Sequence, residues 1–143
     1  MRRPALTLVL CAAGLAALPA SAAKPLDPCV VITTVDASTA LGSMPPKATA
    51  KTVGATRTCT YTVKKKTLTV QTSRVATKSA FDKSAKASGP AFPIQGAGAD
   101  AWSVGGTKLL VWQNGTAVAM TFAGFEPFVS IQQSLAKTAA GRL

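Results

Sequence analysis

The sequence predicts an α+β fold in which helices pack on one face of an antiparallel sheet of about five strands. Two observations carry this prediction. Apolar and polar residues alternate along several short segments, as they do in half-buried strands. Other segments are bounded by residues that start and stop helices. Taken in order along the chain, these signals predict the arrangement α-β-β-α-β-β-β-α.

The first predicted helix covers about 34–41. Thr33 can cap it, Asp36 stands three residues later as in a capping box, and Gly42 provides a stop. The following residues, 43–56, contain prolines and a glycine among Lys, Thr and Ala. They indicate a surface loop that could hold a short edge strand near its end.

A hairpin is predicted from Arg57 to Val75, where the period of the pattern becomes two. Cys59, Tyr61 and Val63 point to one side of the first strand, and threonines alternate with them. The second strand repeats this alternation after three lysines, Lys64–Lys66, which fall at the tip. The hairpin therefore has one apolar face and one Thr-rich face.

The second half of the chain predicts a helix over 79–88, capped by Ser79, and then three strands near 99–104, 107–113 and 116–123. Asn114-Gly115 is a strong two-residue turn signal between the last two strands. A final helix opens at Glu126-Pro127. Its apolar face is predicted from helical spacing and comprises Phe128, Ile131, Leu135 and Ala139.

The first 22 residues are typical of a secretory signal peptide. Arg2 and Arg3 precede an uncharged run over 5–18, and Ala20-Ser21-Ala22 suits a signal peptidase. Cleavage would leave 23–143 as a single domain that is periplasmic, bound to the cell envelope or secreted. No later apolar run reaches the ~20 residues that span a bilayer, so we expect a protein that does not cross the membrane.

Two cysteines, Cys29 and Cys59, remain after that cleavage. An even number of cysteines in an exported chain favours a disulfide, with two buried free thiols as the alternative. A bridge would close a loop of about 31 residues, for which chain entropy predicts a stabilisation of about 3–4 kcal/mol.

Several landmarks resemble a family of small exported envelope proteins and lipoproteins of unknown function, known from actinobacterial-type cells. They are Asp27-Pro28-Cys29, Leu41-Gly42, Cys59-Thr60-Tyr61, and the segment from Gly96 to Trp102 that ends Asp-Ala-Trp. An Ala-rich last helix completes the likeness, which covers nearly all of the predicted mature chain. The resemblance implies a Cys29–Cys59 bridge and an α+β fold, and it implies no activity.

The composition argues against an enzyme. The chain has no histidine, which removes the commonest general base and the commonest metal ligand. Its five carboxylates are scattered, and no two are close enough in sequence to suggest an acid/base pair. We therefore predict no catalytic residues, no metal site and no cofactor.

Charge is the main functional signal. Between Lys47 and Lys86 there are ten basic residues and one acid, whereas the rest of the predicted mature chain is neutral overall. This basic 47–86 region predicts a module that binds an anionic envelope polymer, a lipid surface or an acidic protein, unless the charge serves solubility alone. Nucleic acid is not expected, because the protein is exported and no aromatics are interleaved with the lysines. The candidate contacts are Arg57, Lys64, Lys65, Lys66, Arg74 and Lys78.

A second hypothesis is a carrier or sensor for a small apolar ligand. Trp102 and Trp112 belong to an aromatic cluster in the second half of the chain, and Asp100 lies beside Trp102 in a Gly-rich segment. Such a pocket would lie between the sheet and a helix. Core packing is the alternative role for both tryptophans.

Overall fold

Within the residues that the structure describes, seven strands form one antiparallel sheet, and four helices pack against it. The computed structural model describes residues 26–45, 47–54 and 56–143. The predicted signal peptide, 1–22, lies outside these residues. The helices are α1 (Pro28–Val31), α2 (Thr34–Leu41), α3 (Lys78–Ala87) and α4 (Val129–Ala140). The strands are β1 (Ala48–Val53), β2 (Thr56–Val63), β3 (Lys66–Arg74), β4 (Ala91–Pro93), β5 (Asp100–Val104), β6 (Lys108–Gln113) and β7 (Thr116–Ala123).

The sheet order is β1-β2-β3-β7-β6-β5-β4. The α+β class is confirmed, whereas the count of about five strands and the predicted order of elements are wrong. Both additional strands lie at edges of the sheet. Strand β1 is almost entirely exposed, and β4 has three residues, so neither carries the alternation of buried apolar residues that identifies a strand in sequence.

The helices cover both faces of the sheet, which corrects the prediction that they lie on one face. Helices α1, α2 and α4 pack on the face that holds the main core, and α3 packs on the other face against β5 and β6. Strand β6 shows why. Leu109 and Val111 enter the main core, and Leu110 enters the smaller cluster under α3. A continuous apolar run of this kind is typical of a strand buried on both faces.

The predicted hairpin is formed by β2 and β3, and its apolar face lies in the main core. Cys59, Tyr61, Leu68 and Val70 have no exposed surface. Threonines occupy the other face of β2, where they are exposed or half-buried. Because α3 lies over β5 and β6, the Thr-rich face is beside this helix and not beneath it.

The N-terminal helices are joined to the hairpin by a disulfide and a buried hydrogen bond. Cys29 in α1 is bonded to Cys59 in β2, which confirms the predicted bridge. The Tyr61 hydroxyl donates to the backbone carbonyl of Ile32, which lies between α1 and α2. These two links hold both helices against the middle of β2.

Helix α2 has the boundaries that its capping signals predicted. The Thr33 hydroxyl accepts from the backbone N–H of Asp36, whose carboxylate accepts from the backbone N–H of Thr33 at 2.8 Å. Arg142 also donates to this carboxylate and to the carbonyl of Val31, so the chain end is tied to α1 and α2. Burial opposes ionisation of Asp36, but the hydrogen bonds from Arg142 and Thr33 outweigh it and lower its pKa.

None of the helices within the described residues is long and apolar enough to cross a bilayer.

We predict that replacing Cys29 and Cys59 together by alanine lowers the free energy of unfolding by about 2–5 kcal/mol, because the unfolded chain loses a covalent restraint. Urea denaturation of the variant and of the unreduced protein measures the difference. Thiol labelling of the denatured, unreduced protein supplies the control and should detect neither residue. A variant as stable as the parent would show that the hydrogen bonds and packing alone hold α1 on the sheet.

We also predict that stability falls above about pH 10. Burial, with a smaller contribution from the Asp36 and Asp27 charges, raises the pKa of Tyr61 to about 12 from 10.0. The folded state therefore favours the protonated phenol, and its contribution is complete below the unfolded pKa and is lost as pH rises to about 12. Two pKa units correspond to about 3 kcal/mol.

Tyr61 is the one tyrosine in the chain, so phenolate absorbance follows this group alone. Urea denaturation at a series of alkaline pH values gives the free energy of unfolding. Tyr61→Phe is the control, which should be less stable at neutral pH by about 1–3 kcal/mol because the Ile32 carbonyl loses its donor. An equal loss of stability with pH in both proteins would contradict the assignment to Tyr61.

Candidate anion-binding site at the hairpin tip

One end of the sheet collects the features that could form a binding surface. Strands β2 and β7 end there and β3 begins there, because Val63 pairs with Lys66 and Ala123 pairs with Thr67. The β5–β6 turn lies at the same end, since Val104 pairs with Lys108. We call this the tip end. It comprises residues 42–45 and 47, the hairpin turn 64–66, the turn 105–108 and the segment 124–129.

Three lysines are grouped at the tip end. Lys64 and Lys65 form the turn between β2 and β3, Lys66 begins β3, and all three are exposed. Lys66 Nζ lies 5.3 Å from the centre of the Phe125 ring. Within the described part of the chain, none of the three has a carboxylate within 4 Å. The tip therefore presents three positive charges to solvent.

The backbone at Lys64 is in the left-handed region, with φ of 54°. Asn114 has nearly the same φ, 51°, at the first position of the β6–β7 turn, where Gly115 also has a positive φ. Asparagine tolerates this conformation well, and a lysine there costs about 1 kcal/mol. The turn thus has a residue that its backbone does not favour.

The N-cap position of α4 also holds a residue type that is unfavourable there. Phe128 is the N-cap of this helix, makes no side-chain capping hydrogen bond and is 79% exposed. The sequence prediction that Phe128 belongs to the apolar face of the helix is therefore wrong, because α4 begins at Val129. Serine or aspartate at an N-cap stabilises a helix by about 1 kcal/mol relative to an apolar residue. Neither packing nor capping explains the phenylalanine.

A groove of about 570 Å³ lies beside the lysines. Leu41 and Val63 supply apolar surface, and the residues that complete its lining are Gly42, Ser43, Lys64, Lys65, Lys66 and Gly124. The carboxyl end of α2 borders the groove and carries about half a negative charge. Three full positive charges exceed this partial charge, so an anion is favoured at the rim.

The three other candidate contacts are not brought to this surface. Arg57 is the second residue of β2, about 20 Å from the tip along the strand. Its guanidinium lies 3.8 Å from Asp27. Arg74 ends β3 at that same distant end. The predicted basic 47–86 region is thus divided between the two ends of the sheet.

Lys78 begins α3 on the other face of the sheet. Its ammonium group donates to Asp82 and lies 3.4 Å from Asp100. The hydrogen bond with Asp82 raises the pKa of Lys78 and lowers that of Asp82. Lys78 therefore pairs with carboxylates of the fold and connects α3 to the start of β5.

The candidate pocket residues lie near α3. The indole N–H of Trp112 donates to the carbonyl of Val75 at 2.8 Å, and its ring stacks on Phe81. The indole N–H of Trp102 donates to Asp82 at 3.0 Å. Both rings thus anchor α3 on the sheet, the packing role that the sequence left as the alternative.

Asp100 and Trp102 also border a groove of about 430 Å³ against the loop 94–99, and Trp112 is not part of its lining. This groove lies at the end of the sheet opposite the tip. No group of three or more His, Cys, Asp or Glu side chains that could hold a metal ion occurs in the part of the chain that the structure describes.

Two exposed apolar residues at the tip end were not identified from the sequence. Met44 is 58% exposed and follows the groove residue Ser43, and Phe128 ends the loop that starts at Gly124. A signal for Met44 was present, because Pro45 and Pro46 place it in a loop. The exposure of Phe128 was not predicted, because its position fits the helical spacing of the apolar face of the last helix.

Comparison of the chain with protein-family models, with curated proteins and with solved structures found no match. The resemblance to small exported envelope proteins therefore stays a prediction.

We predict that Lys64→Asn raises the free energy of unfolding by about 0.5–1 kcal/mol, because asparagine relieves the left-handed strain. Thermal or urea unfolding measures it. Lys65→Asn is the matched control, since it removes the same charge one residue away without a positive φ. The free energy of unfolding of Lys65→Asn should stay within about 0.5 kcal/mol of the parent's. If both variants are stabilised equally, relief of charge repulsion is the cause and the strain at Lys64 contributes nothing.

Proposed function

We propose that the protein is an exported, non-catalytic binding module of the cell envelope whose hairpin tip contacts an anionic surface or partner. Export is supported by the signal-like residues 1–22, and the Cys29–Cys59 disulfide is typical of a protein in an oxidising compartment. The resemblance to exported envelope proteins is consistent with this placement and adds no activity.

The observation that carries the proposal is that three exposed lysines are consecutive at one turn of the sheet. Arg57, Lys78 and Arg142 each contact a carboxylate within the fold. Lys64–Lys66 have no such contact within the described residues and project from a turn. Repulsion between two ammonium groups ~7 Å apart in water is only about 0.6 kcal/mol. The fold therefore tolerates the cluster, and an anionic partner would gain from it.

The surroundings of the carboxylates support a binding role over catalysis. Asp27 and Asp36 cap α1 and α2 and pair with arginines. Asp82 and Asp100 share Lys78. A general acid or base needs a carboxyl group free to exchange protons with a substrate. These four are instead used to join elements of the fold.

We predict that exchanging Lys64, Lys65 and Lys66 for glutamine weakens binding to immobilised polyphosphate by at least about tenfold. The dependence of log affinity on log salt should become shallower by about 2, because three fewer counterions are released. Stability should change by no more than about 0.5 kcal/mol, since all three side chains are exposed.

The matched control exchanges Lys51, Lys83 and Lys137 for glutamine, which removes equal charge from exposed positions away from the tip. This variant should bind polyphosphate within about threefold of the parent. Equal losses in both variants would mean that net charge alone governs binding, and the site would be refuted. Unchanged binding in both would identify the lysines as a solubility feature.

A further inference from the structure

Apolar side chains stand exposed at the same end of the sheet as the three lysines. Phe128 is 79% exposed, Val129 is 67% exposed and Met44 is 58% exposed. Phe128 ends the loop that starts at Gly124, Val129 begins α4, and Met44 follows Gly42 and Ser43 after the end of α2. Binding to a soluble polyanion would not remove these side chains from water, because a polyanion has no apolar surface against which they could be buried.

The topology brings these residues, from two separate segments, to the end of the sheet that carries the lysines. The loop 124–128 leaves β7 beside the hairpin, where Phe125 contacts Lys66. It then crosses toward the β5–β6 turn, where Gln132 in α4 donates to the carbonyl of Gly106 at 3.4 Å. Leu41 to Ser43 line the groove together with the lysines, and Met44 comes next in the chain. The lysines therefore share one end of the sheet with exposed apolar side chains from two segments.

Charge is distributed unevenly between the two ends of the sheet. Among the described residues, Glu126 is the one carboxylate at the tip end. The register places several cations there: Lys47, Lys64, Lys65, Lys66 and Lys108. The capping carboxylates Asp27 and Asp36, together with Asp100, lie toward the opposite end and are paired there. A negatively charged plane would therefore attract the protein with its tip end forward.

Resting on the function proposed above, we propose that the partner is an anionic lipid bilayer. Lys64–Lys66 contact the phosphate headgroups, and Phe128 and Met44 insert into the boundary between headgroups and acyl chains. Cationic side chains beside exposed apolar ones are the combination that binds such an interface. The groove, with Leu41 and Val63 behind a lysine rim, is large enough for one headgroup.

The choice of residues at the tip supports the same conclusion. Lys64 occupies a left-handed backbone position, and Phe128 occupies an N-cap without capping the helix. Each residue is less favourable for folding than a common alternative, and both lie on this one surface. A role at an interface with lipid accounts for both, because it requires the charge of one and the apolar surface of the other.

The test compares Phe128→Ser/Met44→Ser with the parent, using protein purified after export. Sedimentation with vesicles of phosphatidylglycerol and phosphatidylcholine should show an affinity lowered by about 10- to 100-fold. Binding to polyphosphate should stay within about twofold. The thermal midpoint should not fall and can rise by a few degrees, because serine at the N-cap supplies the missing hydrogen bond. A lost fold therefore cannot account for lost binding.

The control variant, Val35→Ser/Val53→Ser, removes two exposed apolar side chains that lie away from the tip end. This control should bind the anionic vesicles with the same affinity as the parent. The parent protein should bind weakly to vesicles of phosphatidylcholine alone. If the protein recognises the headgroup alone, soluble glycerol phosphate should compete with the anionic vesicles for binding. If Phe128→Ser/Met44→Ser binds the anionic vesicles unchanged, or if the parent binds polyphosphate but not these vesicles, the bilayer is refuted and the anionic-surface proposal stands. Loss of polyphosphate binding in the Lys64–Lys66 variant tests that proposal separately.

Discussion

The Cys29–Cys59 disulfide is the constraint on which the rest of the structure depends. It joins a four-residue helix to the second strand of the sheet, and a helix of that length has almost no stability of its own. Once α1 is attached, Ile32 lies where its carbonyl accepts from Tyr61, and α2 follows along the hairpin. Helix α2 then brings Leu41 to Ser43 to the tip, where they form one wall of the groove. The geometry of the candidate site is therefore connected to the covalent link through two short helices.

Charge and packing are separated along the sheet. Toward the end opposite the tip, carboxylates cap helices and pair with Arg57, Lys78 and Arg142, so that charged groups connect elements of the fold. At the tip end the lysines make no such connections within the described residues, and the apolar residues Phe128 and Met44 remain in solvent. One end of the molecule is organised for cohesion. The other end leaves lysines and apolar side chains exposed to solvent.

Local signals predicted several elements closely. The capping box of Thr33 with Asp36 and the stop at Gly42 define α2, because those interactions form within one helical turn. The alternation in β2 and β3 and the Asn114-Gly115 turn are likewise short-range features. The faces of the sheet were harder to predict. Leu109, Leu110 and Val111 form one apolar run, which is typical of a strand buried on both faces but also occurs in a buried helix segment.

By itself, the sequence determined the α+β class, the hairpin with its lysine tip and the two cysteines available for a bridge. These depend on residue type and on spacings of a few positions. The tertiary structure alone decided which charges are neutralised, because Arg142 meets Asp36 and Lys78 meets Asp100 across long stretches of chain. It also decided that Phe128 ends a loop instead of entering the core. Helical spacing gives a residue's direction, whereas exposure depends on where the helix begins and what packs against it.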